Sequence, residues 1–157
     1  MKDELAEHFR QTKEPVQKVE PNGEYAEQLQ QLRGILARSK RIVFLGGAGT
    51  STESGIPDFR SSDGVYAAMK QYGHAPEVLL SHTFFMAHPE EFFTYYRANL
   101  LHPKAQPNDA HRALARLEAE EKLTAVITQN IDGLHQKAGS RNVLELHGSV
   151  FRNRCMN

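Results

Sequence analysis

The stretch Arg41-Ile-Val-Phe-Leu-Gly-Gly-Ala-Gly-Thr-Ser-Thr-Glu-Ser54 decides how the rest of the chain is read. Residues 41–45 form a short apolar run ending in glycines, the mark of a strand buried in a parallel sheet. The small residues that follow turn the chain out of the strand and into a short helix. Glycines at such a turn let backbone approach a pyrophosphate, and free N–H groups at a helix start favour an anion. Gly47, Ala48 and Gly49 therefore have the shape of a dinucleotide loop. The match to Gly-x-Gly-x-x-Gly is incomplete: Thr52 stands where glycine or alanine is needed, and no second strand with an acid follows within about 20 residues. A tight turn without a ligand is the alternative for the same residues. A Walker phosphate loop is excluded, because no Gly-Lys-Ser/Thr follows at the required spacing.

Two more apolar runs, Leu123-Thr-Ala-Val-Ile-Thr128 and Val143-Leu-Glu-Leu146, predict a second and a third strand. Between and before them lie helical patterns. Tyr25, Leu29, Leu32 and Leu36 make one amphipathic stripe, and Ala110, Leu114 and Leu117 mark a helix over about 109–121 with Asn108 or Asp109 as its cap. Residues 134–138 fit a helical turn closed by Gly139. From Tyr66 to Leu101 the pattern is one of short helices broken at Gly73, Pro76 and Pro89, with Phe92, Phe93, Tyr95, Tyr96 and Leu100 read as core. Gly55 to Gly64 reads as a loop, and residues 1–24 as a polar, partly disordered lead-in. The alternation predicts an α/β fold with a parallel sheet, whose ligand lies outside the carboxyl ends of the strands.

The chain has 157 residues, about one domain's worth, with Lys+Arg and Asp+Glu balanced at 19 each. A zero formal net charge gives no long-range field for nucleic acid or an anionic membrane, so neither is an expected partner. No apolar run approaches the roughly 20 residues of a membrane span, and the start lacks a secretory leader. A single cysteine, Cys155, fits a reducing compartment, so the expected location is cytoplasmic. Nothing in the composition fixes an oligomeric state.

The strand ends carry the chemistry. Asn130 and Asp132, with Ile131 between them, would point to one side and grip ribose hydroxyls or a carboxamide, or else cap the segment that starts at Gly133. His147, followed by Gly148, has a side chain suited to a general base, or a purely structural one. Asp58 and Arg60 on the loop after Pro57 would either pair with each other or leave the guanidinium for a pyrophosphate. His135, His147 and Cys155 match no tight metal spacing, and Cys155 by itself reads as an inert thiol.

Taken together, Gly47-Ala-Gly-Thr-Ser-Thr-Glu-Ser-Gly-Ile-Pro-Asp-Phe-Arg60, Thr128-Gln-Asn-Ile-Asp-Gly-Leu-His135 and His147-Gly148 closely resemble the sirtuin family of NAD-dependent protein deacylases. Gly64-Val-Tyr66 and Pro107-Asn-Asp-Ala-His-Arg-Ala-Leu114 fit the same pattern, and the resemblance runs from about Ile35 to the last residue. It implies a partial Rossmann-like NAD-binding domain over 25–150, with a helical and cofactor-loop insertion at about 55–105. It also implies that residues 151–157 begin a small zinc-binding module cut short in this chain, the amino-terminal part of a bacterial-type member.

The same resemblance implies the roles of individual residues. Ala48, Gly49 and Thr52 would line the pyrophosphate and ribose of NAD, Phe59 would lie over the nicotinamide, and Arg60 would hold the loop and phosphate. Gln129 would bond the ribose, Ile131 and Asp132 would receive the carboxamide, Asn130 would order a water near the reacting carbon, and His147 would be the general base. Cys155 would be one ligand of a structural zinc. The implied reaction moves an acetyl group from lysine in a protein or peptide to ADP-ribose and releases nicotinamide, with the 157-residue chain itself expected to be an inactive fragment. Mono-ADP-ribosyl transfer and a non-catalytic remnant are the alternatives. The lead-in is longer than in typical bacterial members. The Tyr-x-x-Arg pair of the desuccinylating branch is missing: Tyr95 and Tyr96 are followed three places on by Ala98 and Asn99, and Arg97 is preceded by Thr94 at that spacing. A neutral acyl group such as acetyl is the implied substrate.

Overall fold

Three strands, β1 (Ile42–Gly46), β2 (Leu123–Thr128) and β3 (Val143–Glu145), form one sheet in the order β1-β2-β3, and both pairings are parallel. The computed structural model describes residues 25–58 and 68–155; the lead-in 1–24 and Gly64 to Tyr66 lie outside the described residues. Two units divide the chain, Met1–Arg38 and Ser39–Asn157. Within the first, helix α1 (Ala26–Arg38) follows the predicted stripe but has no buried residue; Tyr25, Leu29 and Leu32 are all exposed. Periodicity there identified a helix without identifying a core.

The second unit is α/β, and its sheet is built on one packed face. Register places Phe44, Val126 and Val143 side by side across the three strands. With Ile42 and Leu123 they pack against Leu114 and Leu117 of helix α5 (Asp109–Ala119). On the other face Val43, Leu45 and Leu144 are exposed, at 58%, 65% and 51%. The first strand was expected to be buried on both sides; instead its burial alternates. A parallel strand buries both faces only where helices cover both, and α5 lies on one.

Local chemistry explains where the helices start and stop. Asn108 caps α5, its Oδ1 accepting from the N–H groups of Ala110 (3.0 Å) and His111 (3.3 Å), which settles the choice between Asn108 and Asp109. The helix ends at Ala119 rather than 121 because Glu121 turns left-handed at φ 58°. Lys122 N–H then reaches Leu117 O and Glu121 N–H reaches Glu118 O, closing the last turn. Short helices α2 (Pro76–Leu79), α3 (His82–Ala87) and α4 (Pro89–Asn99) follow the helical residues 68–72. Pro76 and Pro89 open α2 and α4 at the first helical position, where a missing N–H costs nothing. Their core is Ala68, Leu79, Phe84 and Tyr95, with Phe92 and Leu100 packed beside it. Of the aromatic stripe read as core, Tyr95 is buried, Phe92 and Tyr96 are half-buried, and Phe93 is exposed. None of the helices among the described residues is long and apolar enough to cross a membrane.

Two buried histidines join α5 to helix α6 (Leu134–Lys137). The rings of His111 and His135 lie 4.7 Å apart, and Phe44 packs on His135 from the sheet at 5.9 Å. Burial holds both imidazoles neutral. His111 is lowered by desolvation, partly offset by Asp132 and reinforced by Arg112. His135 is lowered to about 4 by desolvation and by His111, against the opposing pull of Asp132. An unfolded histidine takes its proton near pH 6.5, so between that pH and about 4 protons bind preferentially to the unfolded chain. Their contribution to stability is therefore complete above about pH 6.5 and declines as pH falls toward 4. Thermal melts at about pH 7.5 and about pH 4.5 should show this loss, and His135→Leu should shrink the difference. An unchanged difference in the variant would rule out the buried pair as its source.

Candidate functional site

The carboxyl ends of the three strands bring together segments far apart in sequence. At the end of β1, Gly46 is fixed by its neighbours: a Cβ there would stand 2.4 Å from the Phe44 ring and 2.8 Å from Thr50 Oγ1. The chain then makes two consecutive 3-10 turns, Ala48–Thr50 and Thr52–Ser54, where one short helix was expected, and leaves through left-handed Gly55 at φ 79°. Thr50 N–H bonds Gly47 O and Ser51 N–H bonds Ala48 O, each at 2.9 Å, so the turn is tight. Gly49 faces open space, with nothing within 4 Å of where its Cβ would be.

The loop after β2 is locked to this turn by one small side chain. Ser51, 1% exposed, donates its hydroxyl to Asp132 Oδ2 at 2.7 Å and accepts from Asn130 Nδ2 at 3.0 Å. Asn130 and Asp132 thus meet a common partner, although both lie beyond the end of β2, where strand alternation no longer applies. Asp132 also caps: its Oδ1 accepts from Leu134 N–H at 2.9 Å, as the capping alternative for that residue requires. Gln129 N–H bonds Gly46 O at 3.0 Å, and Asn130 N–H bonds Thr128 Oγ1 at 3.0 Å.

His147 follows β3 and turns toward the same place. Its Nδ1 lies 3.0 Å from Gln129 O. A carbonyl oxygen only accepts, so Nδ1 is the donor in this bond and Nε2 is the nitrogen left for proton exchange. The backbone completes the joint through Leu146 N–H to Thr128 O (2.9 Å) and Val150 N–H to Ile131 O (3.1 Å).

These groups line a cavity of about 390 Å³. One wall is Ala48, Ser51, Gln129, Asn130, Ile131, Asp132 and His147; the other is Leu80, Phe92, Tyr96, Asn99 and Leu100 from the helical segment. Six of the sequence-derived candidates therefore share one cavity: Ala48, Gln129, Asn130, Ile131, Asp132 and His147. Gly49 and Thr52 lie on the turn without lining it, Thr52 Oγ1 donating to Gly49 O at 3.1 Å. Phe59 and Arg60 lie outside the described residues. Cys155 is an exposed free thiol, and among the described residues no group of three His, Cys, Asp or Glu side chains could hold a metal ion. Sequence reading missed Ser51, whose only signal was a hydroxyl inside a glycine turn, and Tyr96, read as core. Desolvation raises the Tyr96 phenol above its ordinary value.

A family model described as the Sir2 family matches residues 47–157. A curated NAD-dependent protein deacetylase of Clostridium perfringens is 57% identical over 130 residues, covering 83% of this chain and 53% of that protein. One of the same name from Cutibacterium acnes is 56% identical over 127 residues, covering 81% and 52%. Among solved structures, a Sir2 homolog–NAD complex superposes with a TM-score of 0.67 at 44% identity, covering 77% of this chain and 46% of that one. A Sir2 protein bound to a deacetylated peptide and 3'-O-acetyl ADP ribose gives 0.67 at 45% identity, covering 78% and 48%. The chain spans about half the length of the curated relatives it matches.

The two glycines of the turn should answer substitution in opposite ways. Gly46→Ala forces the packed Phe44 ring to move and should cost about 1–3 kcal/mol in chemical denaturation. Gly49→Ala meets no atom and should stay within about 0.5 kcal/mol of the unsubstituted protein. Equal costs at the two positions would contradict the close approach of Phe44.

Proposed function

The chain belongs to the Sir2 family, and from that premise we propose that the whole protein is an NAD-dependent protein-lysine deacetylase whose NAD site is the cavity at the strand ends. The observation that carries the reading is the convergence of Ser51, Asn130, Asp132 and His147 on one cavity from three separate segments. Nucleotide binding is proposed for the described residues, and the complete reaction for the whole protein.

NAD fits the turn. The open space at Gly49 lets phosphate oxygens approach backbone, with Ala48 and Thr52 beside it. When bound, NAD supplies an electrophilic ribose carbon and a neutral leaving group, nicotinamide. Asp132, held by Ser51 and Leu134 N–H, would receive the carboxamide with Ile131, and Gln129 and Asn130 would bind the ribose. Binding the amide and the sugar at fixed positions places the reacting carbon within reach of a weak nucleophile, the acyl oxygen of a modified lysine. His147, its Nδ1 engaged by Gln129 O, would take the proton from a ribose hydroxyl at Nε2. Phe59 and Arg60 would cover the nicotinamide and hold the loop.

The substrate proposed is an acetylated protein or peptide, entering beside Phe92 and Tyr96, which present apolar and neutral polar surface. The proposed location is the cytoplasm. Zinc is a further part of the reading and rests on the resemblance alone: Cys155 would be one ligand. The described residues do not complete a site.

Incubation of the whole protein with an acetyl-lysine peptide and labelled NAD should release one nicotinamide per acetyl group removed. His147→Ala should lower turnover by at least about a hundredfold while NAD still binds. Label transferred to protein without loss of acetyl would establish ADP-ribosyl transfer instead. Calorimetry should show Gly49→Ala weakening NAD at little cost to stability, because the added methyl occupies the space the phosphates need.

A further inference from the structure

Asn108 does more than a helix cap requires. Capping needs one side-chain oxygen, and serine, threonine or aspartate supplies it as well as asparagine. What asparagine adds is an amide donor. That donor goes to Thr50 O at 2.8 Å, 58 residues away in sequence. Asn108 is itself buried, 8% exposed, with His111 Nδ1 against its Oδ1 at 2.9 Å, so the amide is held in place.

Thr50 O sits at the joint between the two 3-10 turns. It shares a planar peptide unit with Ser51 N, so a clamp on this oxygen fixes the plane from which the Ser51 side chain departs. Ser51 is the residue that bridges Asn130 and Asp132. Asn108 does not line the cavity; it lines an open groove behind the turn, with Glu53 and Ser54. Any effect on a ligand must pass through Thr50 and Ser51.

We propose that Asn108 is a positioning residue of the nucleotide site, whose amide clamps the Thr50–Ser51 peptide from behind and so aims Ser51 at Asp132 and Asn130. The proposal rests on the NAD-binding reading above. It gives the Pro107-Asn-Asp-Ala-His111 motif a task in ligand binding distinct from starting a helix.

Asn108→Asp and Asn108→Ser test it, since each keeps an oxygen for the Ala110 and His111 amides and loses the donor to Thr50. In the 157-residue chain, hydrogen exchange should quicken about tenfold across residues 50–56 while residues 110–119 keep their protection, and NAD affinity should fall about tenfold. Unchanged exchange in the turn would overturn the clamp. So would equal loss of protection in α5, which would make Asn108 a structural cap only. If the turn loosens and NAD still binds as tightly, the clamp exists but does not position the site, and the proposal fails. If the unsubstituted chain binds no NAD while the turn still responds, the clamp stands and the nucleotide reading falls.

Discussion

The bond from Ser51 Oγ to Asp132, 2.7 Å long across 81 residues of sequence, is the constraint on which the site depends. Two further bonds run beside it between the turn after β1 and the loop after β2, Asn130 Nδ2 to Ser51 Oγ and, near their bases, Gln129 N–H to Gly46 O. A serine suits the joint because its hydroxyl donates and accepts at once. It donates to the carboxylate and accepts from the Asn130 amide, so three polar side chains are satisfied in a partly buried place. Asp132 spends its second oxygen on Leu134 N–H, which ties the network to the start of α6. The parallel sheet makes this possible by ending all three strands on one side.

Much of this was legible in the sequence, for reasons specific to each element. Short apolar runs that stop at glycine or at polar residues gave all three strands to within a residue or two, because such runs have few alternative uses. Asn130 and Asp132 were recognisable as polar residues just past an apolar run, and Asn108 through its place before an apolar helical stripe. Other features depend on relations that a linear pattern does not encode. The exposed face of β1 follows from which side α5 packs on. Which ring nitrogen of His147 donates follows from its distance to Gln129 O. Tyr96 lines the cavity because α4 is rotated so that Tyr95 points inward instead. The end of α5 was misplaced by two residues because a glutamate, in place of the glycine that normally marks such a stop, adopts the left-handed turn.

Phe44 and His111 connect the core to the turn and to the cap beside the site. Phe44 packs in the sheet core, contacts His135 and also forbids a side chain at Gly46, so one ring couples core packing to the shape of the turn. His111 serves the cap of α5 and the buried contact with His135. Changes in the core should therefore reach the cavity without touching it, through dense packing that transmits displacement.

The half-covered sheet has a practical consequence for the isolated chain. Val43 and Leu45 and, across Ile127, Leu144 present apolar side chains on one face of the sheet, and the chain carries no net formal charge to keep copies apart. Near neutral pH little electrostatic repulsion opposes contact between such faces. Salt that screens charge would change solubility little, whereas a shift of several pH units, by giving the molecules a common sign, would change it a great deal.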